Sequence, residues 1–150
     1  MTALAFCGQY LLAAEGPFLR ILDHDSAVLL LTKQIFDSQT IYGIAVHNTC
    51  SSTVVVIIWG GHSLRLAQLR LPTASPVLEI EVNNVDIWLS HIVKVPDWIL
   101  DLSLGPLKSQ TSDNAFYHFK AAAITAHNAL LELGLTYYDN LQHVVVNVNG

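Results

Sequence analysis

The chain has 150 residues, 52% hydrophobic and 13% charged, with a formal net charge of −5 and a mean hydropathy of +0.43. The length suits one domain with a real core, but the charged share is about half the usual 25%, so the chain either lies in a membrane or buries most of its faces against neighbours. A helical span is excluded, because it needs roughly 20 mostly apolar residues and the runs Ala27–Leu31 and Val54–Trp59 are far shorter; a free-standing nucleic-acid binder is disfavoured by 12 acidic against 7 scattered basic residues.

In chain order the pattern predicts a succession of short strands: Ala3–Phe6, Tyr10–Ala14, Phe18–Leu22 and Ala27–Ile35. Asp37-Ser38-Gln39 is a polar break. Ile41–Val46, Thr53–Trp59, Ser63–Leu71 and Val77–Val82 follow, with Pro72 and Pro76 bracketing the turn before the last of these. Asn83-Asn84 marks another turn, and Ile87–Val95 is the next strand. After Pro96-Asp97 come Trp98–Leu104, a polar loop over Gly105–Asn114, and strands at Phe119–Thr125, Ala129–Leu135 and Val144–Val148.

Two segments read less simply. In Ser63–Leu71, Leu64 and Leu66 are out of phase with Leu69 and Leu71, and a β-bulge near Ala67-Gln68 would restore the period of two. Tyr117–Leu135 contains Ala121-Ala122-Ala123 and is open to a helix on propensity; the repeat described next favours two strands with a turn at His127-Asn128.

A strand, a tight turn and a second strand recur three times. The copies are Leu11–Gly16 into Phe18–Leu22, Val56–Gly61 into Ser63–Leu66, and Ala123–Asn128 into Ala129–Leu133. Leu19 and Leu64 lie 45 positions apart, and WD-type blades run about 40 to 45 residues. The spacing from Ile41 to Trp98 is longer, which places an insertion between Leu71 and Pro96 on an outer strand or loop. The expected fold is all-β, a partial β-propeller of WD-repeat type with about three blades, in units 3–36, 41–95 and 98–150. Closed propellers use about four to eight blades, and Asn149-Gly150 is a hairpin-turn dipeptide, so the chain reads as a fragment of a larger propeller or a truncated gene product.

Motifs for chemistry are missing. The seven histidines form no HxxxH, HExxH or Cys/His zinc spacing. Gly60-Gly61 belongs to neither phosphate-loop pattern and suits a tight turn. Asp23-His24-Asp25 reads as a polar turn. His62 and His127 fall at inter-strand turns, where a histidine of a WD-type blade often hydrogen-bonds within its blade. Trp59, Trp88 and Trp98 are expected to lie between blades. In Asp97-Trp98-Ile99-Leu100-Asp101, an aspartate flanks each side of an apolar inner strand, and Asp101 is expected to bond neighbouring turns. The structural set is thus Trp59, Gly60, Gly61, His62, Asp97, Trp98, Asp101, His127 and Asn128, with no catalytic, cofactor-binding or metal-binding residue. Cys7 and Cys50 read as free thiols in a reducing compartment, and no signal peptide is read at the N-terminus.

Five patches carry a resemblance: Gly16–Ile21, Phe36–Ile44, Trp59–Leu66, Asp97–Asp101 and Thr125–Ala129. In this order, and over about Tyr10 to Leu133, the chain resembles the N-terminal blades of the WD repeat-containing protein 6 family. The resemblance implies a large cytoplasmic multi-propeller protein without a catalytic centre. Its implied partner is an FtsJ-type tRNA ribose methyltransferase, which carries S-adenosylmethionine itself and methylates the 2′-oxygen of the wobble nucleotide. tRNA would be met indirectly or through the full-length protein, alongside the remaining blades, with no membrane and no cofactor of its own. The alternative is a propeller adaptor for protein partners with no RNA role.

Overall fold

The structure, a computed structural model, describes residues 1–48, 53–71, 85–106, 108–110, 116–138 and 144–149. The described residues are all-β, without a helix, and form three antiparallel sheets. Sheet 1 is a meander of β1 (Ala3–Cys7), β2 (Tyr10–Glu15), β3 (Phe18–Asp23) and β4 (Leu29–Gln34). Sheet 2 runs β5 (Gly43–Asn48), β6 (Thr53–Gly60), β7 (Ser63–Arg70) and β8 (Asp86–Leu89), and β9 (Val93–Lys94) pairs with the other end of β7. In sheet 3, β10 (Ile99–Leu104) and β11 (Lys108–Gln110) pair with β12 (Phe116–Thr125), followed by β13 (Leu130–Tyr138) and β14 (Val144–Asn149). β5 lies between β1 and β10, so the first strands of the three sheets stand side by side.

Sheet 2 is covered on both faces, and this explains the high hydropathy. Val54, Val56 and Ile58 of β6 join Leu12, Leu19, Ile21 and Ile41 in one core. Val55, Ile57 and Trp59, the alternate residues of the same strand, join Phe119, Ala123, Leu133 and Leu135 in a second. Each fully buried Val, Leu or Ile contributes about 1.5–3 kcal/mol, so β6 draws on two interfaces at once. Such a strand reads as a continuous apolar run rather than an alternating one.

The same geometry corrects the expected bulge in β7. The β6–β7 register runs without interruption from Thr53 opposite Arg70 to Gly60 opposite Ser63. Leu64 and Leu66 enter the core shared with sheet 3, while Ala67 and Leu69 enter the core shared with sheet 1. Both phases are apolar because both faces are buried. The irregularity sits on the outer strand instead. Leu64 lies opposite Val93 and Ala67 opposite Leu89, so Ser90, His91 and Ile92 face only Arg65 and Leu66. Ser90 fills the gap: its N–H donates to Leu66 O (2.9 Å), and its Oγ accepts from Leu66 N–H (3.0 Å) and donates to His91 O (2.8 Å). The predicted strand Ile87–Val95 is therefore split into β8 and β9.

Elsewhere, Tyr117–Leu135 is two strands and a turn rather than a helix. Lys108–Gln110, expected within a polar loop, is a strand opposite Phe116–His118. Asp23-His24-Asp25 is the expected turn: the Asp23 carboxylate accepts from Asp25 N–H (2.9 Å) and Ser26 N–H (3.1 Å). Cys7 is a buried free thiol whose pKa burial pushes up. The predicted strand Val77–Val82, the turns at Pro72, Pro76 and Asn83-Asn84, and Cys50 lie outside the described residues. No helix is long and apolar enough to cross a membrane among the described residues.

Candidate functional site

The repeated turns gather along one rim. Gly16 (φ 58°) and Gly61 (φ 55°) each take the first central position of a two-residue hairpin loop, between β2 and β3 and between β6 and β7. A positive φ at that position alone is a type II′ turn, which matches the strand twist. Pro17 and His62 take the second position, where φ is negative and a side chain is tolerated. Between β12 and β13 the loop is longer, and Asn128 (φ 59°) supplies the left-handed residue.

Each tight turn holds the chain as it passes to the next sheet. Ile35 N–H donates to Pro17 O and Ile41 N–H to Gly16 O, both at 2.9 Å. In the next repeat, Val95 N–H donates to His62 O (2.8 Å) and Ile99 N–H to Gly61 O (3.2 Å). The turn thereby satisfies the main chain at the end of one sheet and the start of the next, groups that would otherwise be buried without partners. Tight passage also demands close approach. A Cβ on Gly43 would overlap the Trp59 indole, and one on Gly60 the Thr40 carbonyl. Trp59 is buried in the core between sheets 2 and 3.

Sheet 3 uses side chains for the same fastening. Asp97 precedes β10, and its Oδ1 accepts from Trp98 N–H (2.7 Å) and from His127 Nδ1 (2.8 Å). Thr125, wholly buried at the end of β12, bonds the same carboxylate while its Oγ1 accepts from Ala129 N–H (3.2 Å). Ala126 N–H donates to Trp98 O (2.9 Å). The Thr125 hydroxyl, then His127, hold the Asp97 carboxyl far below the usual carboxylate range. The residue types invite comparison with a nucleophile–base–acid relay, but the order is wrong. In such a relay the hydroxyl faces the second imidazole nitrogen, whereas here it is committed to the carboxylate. The arrangement ties a turn to a strand start.

Of the residues singled out in the sequence, Gly60, Gly61, His62, Asp97, Trp98, His127 and Asn128 come together on this rim, and Trp59 lies beneath it. Asp101 does not join them. It is exposed, and its Oδ1 accepts only from Leu102 N–H (2.9 Å), the adjacent residue, among the described contacts; the expected bond to a neighbouring turn is made by Asp97. Trp98 and Trp88 are 39% and 38% exposed, not enclosed between sheets. Trp88 lies beneath the Arg70 guanidinium (5.4 Å). Trp98 stands with its ring centroid 5.8 Å from Tyr42 and 6.2 Å from His62. Tyr42, 49% exposed, was not singled out. Its neighbour Gly43 was a usable signal, since a glycine beside a strand start marks close approach.

This rim presents three aromatic rings, Tyr42, His62 and Trp98, flanked by Asp97 and His127. Exposed aromatics beside polar groups suit contact with a partner molecule. Among the described residues no three His, Cys, Asp or Glu side chains gather to hold a metal ion. No family model matches the chain, and no curated protein matches it.

Proposed function

We propose that the chain is a non-catalytic WD-repeat scaffold that assists an FtsJ-type methyltransferase in 2′-O-methylation of the tRNA wobble nucleotide. The three sheets are then blades of a larger β-propeller. The observation that carries the reading is where the five patches of resemblance fall. Gly16–Ile21, Trp59–Leu66 and Thr125–Ala129 span the turns between second and third strands, and Phe36–Ile44 and Asp97–Asp101 span the passages into β5 and β10. They occupy equivalent places in a repeated geometry.

The mechanism is positioning. A rim of rigid turns, each fastened by main-chain hydrogen bonds, orients tRNA against the active site of the partner. The partner carries the methyl donor. Alignment of reactants of this kind lowers a barrier by up to about 7–11 kcal/mol. Tyr42, His62 and Trp98 are the side chains the rim offers for contact. A second reading, a propeller adaptor for protein partners without an RNA role, is favoured by the excess of 12 acidic over 7 basic residues.

Nucleoside mass spectrometry of tRNA from cells lacking the gene tests the choice. The scaffold reading expects loss of the wobble 2′-O-methyl group with other ribose methylations intact. An unchanged wobble mark sinks it and leaves the adaptor reading.

A further inference from the structure

Arg65 shows how one sheet grips the next. It lies on the β7 face turned to sheet 1, and its Nη1 donates to Ile35 O (2.6 Å), the carbonyl just beyond β4, the last strand of that sheet. Its Nε donates to Ser90 O (2.6 Å) of its own sheet. Forty-five positions earlier stands Arg20, in Gly16-Pro17-Phe18-Leu19-Arg20-Ile21 against Gly61-His62-Ser63-Leu64-Arg65-Leu66. The registers agree as well. Arg20 lies opposite Ala13 and Leu22 opposite Leu11, as Arg65 lies opposite Ile58 and Ala67 opposite Val56. On the first strands, Leu4 and Phe6 take the places of Ile44 and Val46.

The two faces are thus built alike but covered differently. Val56, Ile58 and Ala67 are fully buried beneath sheet 1. On the matching face of sheet 1 their counterparts Leu11, Ala13 and Leu22 are only half-buried, and Leu4, Phe6 and Phe18 are 47%, 61% and 40% exposed. The Arg20 guanidinium reaches only the exposed Glu15 carboxylate (2.8 Å) among the described residues. The far face of sheet 3 is mixed: it carries His118, Lys120, Glu132 and Thr136, with His118 bonded to Thr136 (2.9 Å), beside the exposed Ile124 and Leu130.

We propose that the open face of sheet 1 seats a further antiparallel sheet of the same build, with Arg20 donating to the main-chain carbonyl just beyond that sheet's last strand. The internal repeat identifies the occupant: the same face, forty-five positions on, is covered by such a sheet through such a contact. This inference rests on the reading of the three sheets as blades of a larger β-propeller and stands independently of the tRNA role.

The test uses the protein expressed at the full length of its gene, with Phe6→p-benzoylphenylalanine as a photo-cross-linker on the open face and Lys33→p-benzoylphenylalanine as an exposed control on β4. Irradiation should link position 6, and not position 33, to a peptide that forms a strand of an antiparallel sheet other than sheet 1. Adding Arg20→Met should lower that yield at least about fivefold, while Arg20→Lys retains part of it because one donor remains. Solvent adducts alone at position 6, a link to the same face of a second copy, or a link to a helical partner or to RNA would each overturn the proposal. So would a yield indifferent to Arg20→Met.

Discussion

Replacing Arg65 with Met keeps most of the aliphatic stem and removes both donations at 2.6 Å, to Ile35 O and Ser90 O. Ile35 and Ser90 are 1% and 2% exposed, so water is a poor substitute for either donor. A hydrogen bond to a charged group contributes about 1.5–3 kcal/mol. Arg65 is half-buried, and burial already pushes its pKa down, so part of the gain is spent on desolvation. The low end applies to each bond, which gives a loss of about 3 kcal/mol for the pair. With a urea slope of about 1–3 kcal/mol/M, the unfolding midpoint falls by about 1.5 M. Pulse proteolysis across a urea series reads this at concentrations low enough to suppress association. Arg20→Met in the same 150-residue chain removes only an exposed ion pair, worth about 0–1 kcal/mol. It should shift the midpoint by less than about 0.5 M. Equal shifts for the two variants would refute the assignment of Arg65 as the clamp between sheets 1 and 2.

Three further outcomes follow from the geometry. Gly43→Ala drives a methyl into the Trp59 indole; overpacking of this kind costs about 1–3 kcal/mol, and the Trp59 emission should shift to the red as the ring leaves its core. The Asp97 pKa is lowered in the folded chain, so its stabilising contribution is complete above the ordinary carboxylate pKa of about 3.9 and is lost as pH falls through the lowered folded value. Asp97→Asn should therefore be less stable near neutrality and show a shallower loss on acidification below about pH 4; an unchanged acid limb in chemical denaturation contradicts this. Residues 1–150 alone, with the apolar face of sheet 1 uncovered, should bind hydrophobic dyes and self-associate, and a sharp cooperative melt of a clean monomer would count against a fragment of a larger propeller.

Much of the fold was legible in local pattern. Gly16 and Gly61 announced two-residue turns because few other residues take a positive φ there, and the apolar segments on either side set the hairpins. The repeat decided Tyr117–Leu135 correctly in favour of strands, although Ala121-Ala122-Ala123 favours a helix by propensity. The site was legible as a set of turn residues: His62, Asp97, Trp98 and His127 meet on one rim. Their roles were less so. Asp97 and Asp101 are alike in sequence, each beside an apolar segment, and only the fold shows that Asp97 meets Thr125 and His127 while Asp101 points to water.

By itself, then, the amino-acid sequence determined most of the extended segments and where they turn, because these follow from backbone sterics and a period of two. Tertiary structure alone decided which neighbour each face meets. The two phases of Leu64-Leu66 and Ala67-Leu69 look like a slipped register in one dimension. They are both correct in three, because β7 lies in a sheet covered on both sides, and the extra residue belongs to Ser90–Ile92 across the ladder. Likewise Arg20 and Arg65 stand in near-identical surroundings in the sequence, and what separates an exposed ion pair from an inter-sheet clamp is whether another sheet brings a carbonyl within reach.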